Sequence, residues 1–159
     1  MSTIVCYDPQ GYPVPVAAAT LTFSPAAYAV FIENNEILLL HNEQTGWLTW
    51  PGTMLPAGER PYHAVSRVYH LLTGIVPVVG PLLSMEDLYQ IDGNGRAWHL
   101  TAMFYWLERP SATSFSLTTV DTNLQPQMLP VDYVQRSQLQ FGYQVLQAGI
   151  RHSNRLNTA

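Results

Sequence analysis

The feature that most constrains the fold is one helical segment set between runs of β-prone residues. Pro61 suits the first turn of a helix, where its missing N–H group is not needed. Gly74 is typical of the residue that ends a helix in a left-handed conformation. The sequence therefore predicts a helix over residues 61–73. With strands before and after it, the order of elements predicts an α/β fold built in layers.

Strands are predicted from short apolar and β-branched runs bounded by turn residues. These runs cover residues 26–32, 37–40, 47–50, 76–89 and 97–108. Glu33-Asn34-Asn35 reads as a hairpin turn between the first two, because Asn tolerates positive φ. Residues 110–128 predict a loop with an edge strand near 114–117, and residues 143–152 predict a second helix. No linker or repeat interrupts the pattern, so we expect a single domain over residues 1–159.

Composition excludes several classes of protein. Of 159 residues, 47% are hydrophobic and 11% are charged, whereas about 25% is usual for the charged share. The net charge is −4 and no lysine occurs, so a basic face for extended nucleic-acid binding is not expected. Cys6 is the only cysteine, which excludes an internal disulfide. No signal-like or membrane-spanning apolar run is found, and we expect a soluble, cytoplasmic protein without a membrane partner.

The segment between Trp47 and Ile75 has the spacing of a known motif. The motif is G-x5-E-x7-R-E-U-x-E-E-x-G-U, where U is a bulky apolar residue. When Glu59 is aligned with the first glutamate, Thr53 falls on the first glycine, Arg67 on the arginine and Gly74-Ile75 on the final pair. In this register the chain resembles the Nudix (MutT-like) hydrolase family, although its Nudix box is degenerate.

The resemblance implies both a fold and a chemistry. The fold is an α/β/α sandwich, in which a mixed β-sheet lies between the box helix and a C-terminal helix. The chemistry is cleavage of a nucleoside diphosphate-linked substrate by a hydroxide that Mg²⁺ or Mn²⁺ activates. The box helix supplies the carboxylates that hold this cation.

The departures from the motif decide what the resemblance implies for activity. Val68, Leu71 and Leu72 occupy the three glutamate positions of the helix. Residues at these offsets share one helix face, and hard divalent cations need oxygen ligands that Val and Leu do not have. Glu59 and Arg67 remain, either as a fragment of the metal site or as an ion pair that ties the loop to the helix. The catalytic residues stay unknown, and no metal or other cofactor is expected.

Five residues are candidates for ligand binding. The resemblance places Val68, Leu71 and Leu72 along the substrate cleft, where an apolar face would mark an interaction site if it were exposed. Trp50 and Trp98 are candidates for stacking on a ring. We therefore expect a domain that binds a nucleotide-like or other small ligand without the consensus hydrolysis. A homodimer seam on the apolar face is a further hypothesis.

The alternative is a Nudix hydrolase whose Mg²⁺ or Mn²⁺ site is rebuilt from carboxylates outside the box. The carboxylates that could approach the cleft from other segments are Glu86, Asp87, Asp121 and Asp132. A metal site on His63 and His70, two helical turns apart, is a weaker hypothesis because no third ligand is evident.

Overall fold

The computed structural model describes residues 2–110 and 114–158, and the elements below lie within them. The strands are β1 (Thr3–Tyr7), β2 (Pro13–Ala17), β3 (Thr22–Val30), β4 (Ile32–Glu33), β5 (Glu36–Asn42), β6 (Leu48–Thr49), β7 (Gly52–Met54), β8 (Val78–Ile91), β9 (Ala97–Glu108) and β10 (Leu124–Pro130). The helices are α1 (Pro61–Thr73) and α2 (Tyr143–Asn157). In the described part of the chain, no helix is long and apolar enough to cross a membrane.

The box helix begins and ends where the sequence predicts. Pro61 is its first residue, and Gly74 follows its last with a φ of 75°, a left-handed value that glycine adopts without strain. The N–H group of Gly74 donates to the carbonyl of His70 and so satisfies one carbonyl of the final turn.

The strands form two sheets. The larger has the order β2-β1-β8-β9-β3-β7. The smaller has the order β10-β5-β4, and β6 also pairs with β5. The pair β3–β9 is parallel and the pair β8–β9 is antiparallel, so the larger sheet is mixed.

Successive side chains of β3 are buried on opposite faces of the sheet, which explains why helices lie on both sides. Ala27 and Ala29 are buried in the cluster that α1 covers, whereas Tyr28 and Val30 are buried in the cluster that α2 covers. Successive side chains of a strand point to opposite faces, and this strand is apolar on both. The mixed sheets between two helices form the α/β/α sandwich, and the predicted fold class is confirmed.

Two predictions about strands hold. The strand predicted over residues 97–108 is β9, which covers Ala97–Glu108. Asn34 and Asn35 have φ values of 54° and 60°, which is the conformation required for their predicted turn.

The predicted hairpin between residues 26–32 and 37–40 is wrong in most of its length. Only β4, two residues long, pairs with the start of β5 across the turn. β3 pairs instead with β7 and β9, and β5 pairs along its whole length with β10. A period-2 pattern fixes which face is buried but leaves the pairing partner open.

The segment after β9 also differs from its prediction. Residues 114–117 form no strand, β10 begins inside the predicted loop at Leu124, and residues 111–113 of that loop lie outside the described residues. Phe115 and Leu117 pack against the cluster under α1. The N–H group of Thr118 donates to the carbonyl of Leu72 at 2.8 Å, so this segment is tied to the end of the box helix.

Candidate functional site

A cavity of about 250 Å³ opens beside the box helix. We call it the box-helix cleft. It lies where α1 meets β5, β7 and the residues just before β10. Its lining residues are Leu40, Gly52, Thr53, Arg67, Val68, Leu71, Leu72, Val120, Asp121 and Leu124. The cleft therefore brings together all three residues that replace the box glutamates.

The three replacements differ in how much of each side chain reaches solvent. Leu71 is 50% exposed and Val68 is half-buried, whereas Leu72 is only 4% exposed and also belongs to the core under α1. Ala64 and Val65 are fully buried toward the sheet. Val68 and Leu71 therefore lie on the cleft side of the helix, and Leu72 stands at the boundary between cleft and core.

Gly52 lets β7 approach β3 closely at one wall of the cleft. A Cβ atom added to Gly52 would lie 2.2 Å from Cδ1 of Tyr28 and 2.5 Å from the backbone oxygen of Ala27. Neither distance is tolerated, and the oxygen belongs to the backbone and cannot turn away. This contact explains why Gly52 is a glycine although it precedes the motif position that Thr53 occupies.

Glu59 and Arg67 form a two-pronged ion pair. Nε of Arg67 donates to Oε2 of Glu59 at 3.1 Å, and its second nitrogen donates to Oε1 at 2.8 Å. The hydrogen bonds from Arg67 lower the pKa of Glu59, against the opposing effect of desolvation, and the pKa of Arg67 is raised by the same contact. Both carboxylate oxygens of Glu59 are thus occupied, and the pair ties the loop before α1 to the helix.

The lining of the cleft does not fit a divalent cation. Val68, Leu71 and Leu72 offer no oxygen atom, and Mg²⁺ or Mn²⁺ needs several. Asp121 supplies the one lining carboxylate, and its Oδ1 already accepts the N–H group of Asn123 at 2.9 Å. Within residues 2–110 and 114–158, no group of three or more His, Cys, Asp or Glu side chains is placed to hold a metal.

The two tryptophan candidates do not join the cleft. Trp50 is 1% exposed and packs edge-on against Phe104, and its Nε1 donates to the carbonyl of Phe141 at 3.0 Å. Its ring is therefore in the core and has no face for a ligand, which corrects the stacking prediction for this residue. Trp98 packs against the cluster on the α2 side, where Arg96 covers its ring and Asp92 accepts its Nε1–H group.

The carboxylates outside the box are dispersed. Asp121 lines the cleft, as the alternative interpretation requires for at least one of them. Glu86 and Asp87 line a different cavity, beside Gln140 and Phe141, and Asp132 lies in a short 3₁₀ turn over Val131–Tyr133.

Three apolar side chains of the lining were not predicted as site residues. Leu40, Val120 and Leu124 complete the apolar wall and come from β5 and from the chain entering β10. No motif marks them, because they reach α1 only through the pairing of β10 with β5. That long-range pairing is not visible in the sequence pattern.

Comparison with solved structures shows which known fold the chain shares. A MutT Nudix hydrolase from Burkholderia pseudomallei is similar over 79% of this chain and 95% of its own, with 21% identity and a TM-score of 0.60. The mutator MutT protein from Bacillus halodurans matches over 79% of each chain with 16% identity and a TM-score of 0.60. A Nudix hydrolase from Nitrosomonas europaea matches 84% of this chain and 90% of its own, with 16% identity and a TM-score of 0.57.

The chain has the Nudix fold. Sequence comparison adds nothing to this, since no family model and no curated protein matches the chain. At these identities the likeness to Nudix hydrolases shows the architecture alone, because a scaffold can outlast its chemistry. The Nudix resemblance stated from the sequence is thus supported by an independent observation, and the function has to be argued from the cleft.

Proposed function

We propose that this chain is a Nudix-fold domain that binds a small ligand, nucleotide-like or otherwise, and does not carry out the consensus metal-dependent hydrolysis. The ligand places an uncharged, apolar part in the box-helix cleft. The observation that carries the proposal is hydrocarbon at the three helix positions that supply metal-binding carboxylates in the Nudix motif.

The character of the cleft supports an apolar occupant. Side chains from α1 and β5, and from the residues entering β10, give it a mostly hydrocarbon wall. Covering one such side chain stabilises a complex by about 2 kcal/mol. A volume of about 250 Å³ lies just below the usual range for small-molecule sites of roughly 300–1,000 Å³. The cleft therefore suits one ring or a short branched chain rather than a whole dinucleotide.

The charges around the cleft also support this proposal. Arg67 is the lining cation, and Glu59 already holds it by two hydrogen bonds. A diphosphate group would have to compete with that carboxylate, without a metal ion to offset its own charge. Binding of the charged part of a nucleotide inside the cleft is therefore unfavourable, and such a part would extend into solvent.

A ligand screen with one matched pair of variants tests the proposal. Thermal shift against nucleotides, nucleotide sugars and apolar metabolites should find compounds that raise the melting temperature. Leu71→Glu should abolish the shift by placing a charge at the mouth of the cleft. Leu156→Glu is the control, since Leu156 is similarly exposed at 46% but lies on α2. The proposal is contradicted when every compound that raises the melting temperature binds equally well to both variants, since none of them would then occupy the cleft.

The alternative, a hydrolase with a rebuilt metal site, has one observation in its favour, which is that Asp121 lines the cleft. Phosphate release from nucleoside diphosphate-linked substrates with Mg²⁺ or Mn²⁺ tests it. We expect no release above background. Turnover that EDTA abolishes and that Asp121→Asn removes would establish the alternative instead.

Self-association through the apolar face is the remaining hypothesis for a partner. Leu71 and Val120 are 50% and 57% exposed at the mouth of the cleft, which is a small patch for a stable dimer. Sedimentation at high concentration should give a monomer. A dimer that Leu71→Glu dissociates would assign the cleft to a second copy of the chain.

A further inference from the structure

A second cavity system lies on the other side of the sheets, and the box-helix cleft does not explain it. Two cavities of about 310 and 540 Å³ adjoin each other between β8 and the residues that precede α2. They share Asp87, Gln140 and Phe141 in their walls. We call them together the β8 groove. None of its lining residues belongs to the Nudix motif.

The larger cavity is lined by two oppositely charged side chains that form no ion pair with each other. Glu86 and Arg136 both line it, yet within the described residues neither forms an ion pair or hydrogen bond through its side chain. The guanidinium of Arg136 is placed over the ring of Tyr143, at 5.8 Å from its centroid. A carboxylate and a guanidinium facing one cavity without pairing can each receive a group of opposite charge from a ligand.

The setting of Glu86 differs from that of the other acids in this region. Burial raises the pKa of Glu86, because no neighbour compensates its charge. Asp87, next to it, is already engaged, since its Oδ1 lies 2.9 Å from Nε2 of His99 and accepts the hydroxyl of Thr101 at 3.3 Å. Among the residues that the structure describes, Glu86 is therefore the acid of the groove whose side chain forms no ion pair or hydrogen bond.

The smaller cavity adds an aromatic wall. Trp47 lines it, and its indole is fixed because Nε1 donates to the backbone carbonyl of Gln10 at 3.2 Å. Gly11 lies against the same ring, where an added Cβ atom would come within 2.8 Å of it. Tyr7 and Tyr89 line the same cavity. A rigid, partly exposed indole next to a polar chamber is suited to stack on a flat ring.

We propose that the β8 groove binds a small zwitterion with an aromatic side chain, of the class of the aromatic amino acids. Its ammonium group donates to the carboxylate of Glu86, its carboxylate accepts from the guanidinium of Arg136, and its ring packs against Trp47. Each charge of the ligand meets a side chain of opposite charge that forms no ion pair with another described residue. This site is independent of the box-helix cleft.

Calorimetry on the full chain tests the proposal with three related probes. L-Tryptophan carries both charges, tryptamine lacks the carboxylate and indole-3-propionate lacks the ammonium group. L-Tryptophan should bind about tenfold more tightly than either analogue, since each removes one charge-assisted hydrogen bond. Tryptamine or indole-3-propionate binding as tightly as L-tryptophan would overturn the assignment of a zwitterion.

Two variants that each remove one charge assign the roles of Glu86 and Arg136. Glu86→Gln should weaken L-tryptophan and tryptamine by about tenfold and leave indole-3-propionate unchanged. Arg136→Gln should weaken L-tryptophan and indole-3-propionate and leave tryptamine unchanged. Glu36→Gln is the control, because it makes the same charge change on an exposed residue at the start of β5.

Two results would overturn the proposal. One is the absence of heat from L-tryptophan at millimolar concentration, and the other is wild-type affinity in folded Glu86→Gln and Arg136→Gln proteins. Leu71→Glu separates this proposal from the proposed function, since it should leave binding of all three probes intact while it blocks the box-helix cleft.

Discussion

The two sides of the sheet sandwich hold cavities of opposite character. The box-helix cleft is walled by hydrocarbon, and its arginine is neutralised by Glu59. The β8 groove is walled by polar and aromatic groups, and within the described residues its Glu86 and Arg136 form no ion pair. The Nudix fold thus keeps its shape on the side where Val68, Leu71 and Leu72 stand at the glutamate positions of the motif, and it carries a polar groove on the side to which the motif contributes no residue. Shape and chemistry can be separated on one scaffold.

The largest expected effect tests whether Leu72 belongs to the core as well as to the cleft. Leu72→Glu should destabilise the fold by about 3–5 kcal/mol, because it buries an unpaired carboxylate. Leu71→Glu, on an exposed side chain of the same cleft, should change stability by no more than about 0.5 kcal/mol. Urea unfolding of both variants measures the difference. Equal stability of the two would mean that the helix is rotated from the position described.

The second test asks whether hydrocarbon alone keeps metal out of the cleft. The double variant Val68→Glu/Leu71→Glu places two carboxylates three residues apart on one helix face. We expect it to bind Mn²⁺ with a dissociation constant of roughly 10⁻⁴–10⁻³ M, as in sites with few ligands, while the natural chain binds none. Titration calorimetry on the folded variant checks this. No ion uptake would show that the cleft lacks the geometry of a Nudix metal site.

The third test concerns the carboxylate of Glu86 in the β8 groove. Burial raises the pKa of Glu86 above its usual 4.5, so the folded state binds this proton more tightly than the unfolded state does. Stability from this group is therefore present at low pH and is lost as the pH rises through the raised value. Glu86→Gln should stabilise the chain at pH 7 by less than about 1 kcal/mol, and by nothing below pH 4, since the side chain is partly exposed.

Melting temperatures of Glu86→Gln and of the natural chain across this pH range measure the effect. Lower stability of Glu86→Gln at pH 7 would mean that Glu86 has a partner in the fold, which would remove the contrast with Glu59.

The smallest expected effect concerns the ion pair between Glu59 and Arg67 beside the cleft. Arg67 lowers the pKa of Glu59 below 4.5, so its contribution to stability is present above that value and is lost as the pH falls through the lowered one. Glu59→Gln should therefore flatten the dependence of the melting temperature on pH between about 5 and 3. Glu36→Gln, on an exposed residue, is the matched control. An unchanged slope would show that the pair contributes nothing in solution.

Local features of the fold were predictable because local chemistry sets them. Pro61 and Gly74 bound α1 through their own backbone preferences, and Asn34 and Asn35 adopt the positive φ that their turn needs. The length of β9 follows from a β-prone run without proline or glycine that begins just after a turn. These elements depend on few residues and short distances, so the sequence contains most of what determines them.

The rest depends on partners distant in sequence. The apolar run of β5 does not reveal that β10, more than 80 residues later, is its neighbour, and so the wall around Val120 was missed. Trp50 was a candidate for stacking on a ligand ring, because the sequence alone does not distinguish an aromatic residue of the core from one of a binding site. The groove around Glu86 combines residues from the N-terminal hairpin, β8 and the turn before α2, a combination that only the folded chain specifies.

The amide of Thr118 donates to the carbonyl of Leu72, a lining residue of the cleft, and so provides a reporter at the edge of the cleft. For this amide to exchange its hydrogen with deuterated water, residues 115–118 must separate from the end of α1. A ligand that fills the cleft and stabilises the contact between this segment and α1 would slow the exchange, whatever its chemical identity. The exchange rate of the Thr118 amide would then report occupancy of the box-helix cleft without any label on the ligand.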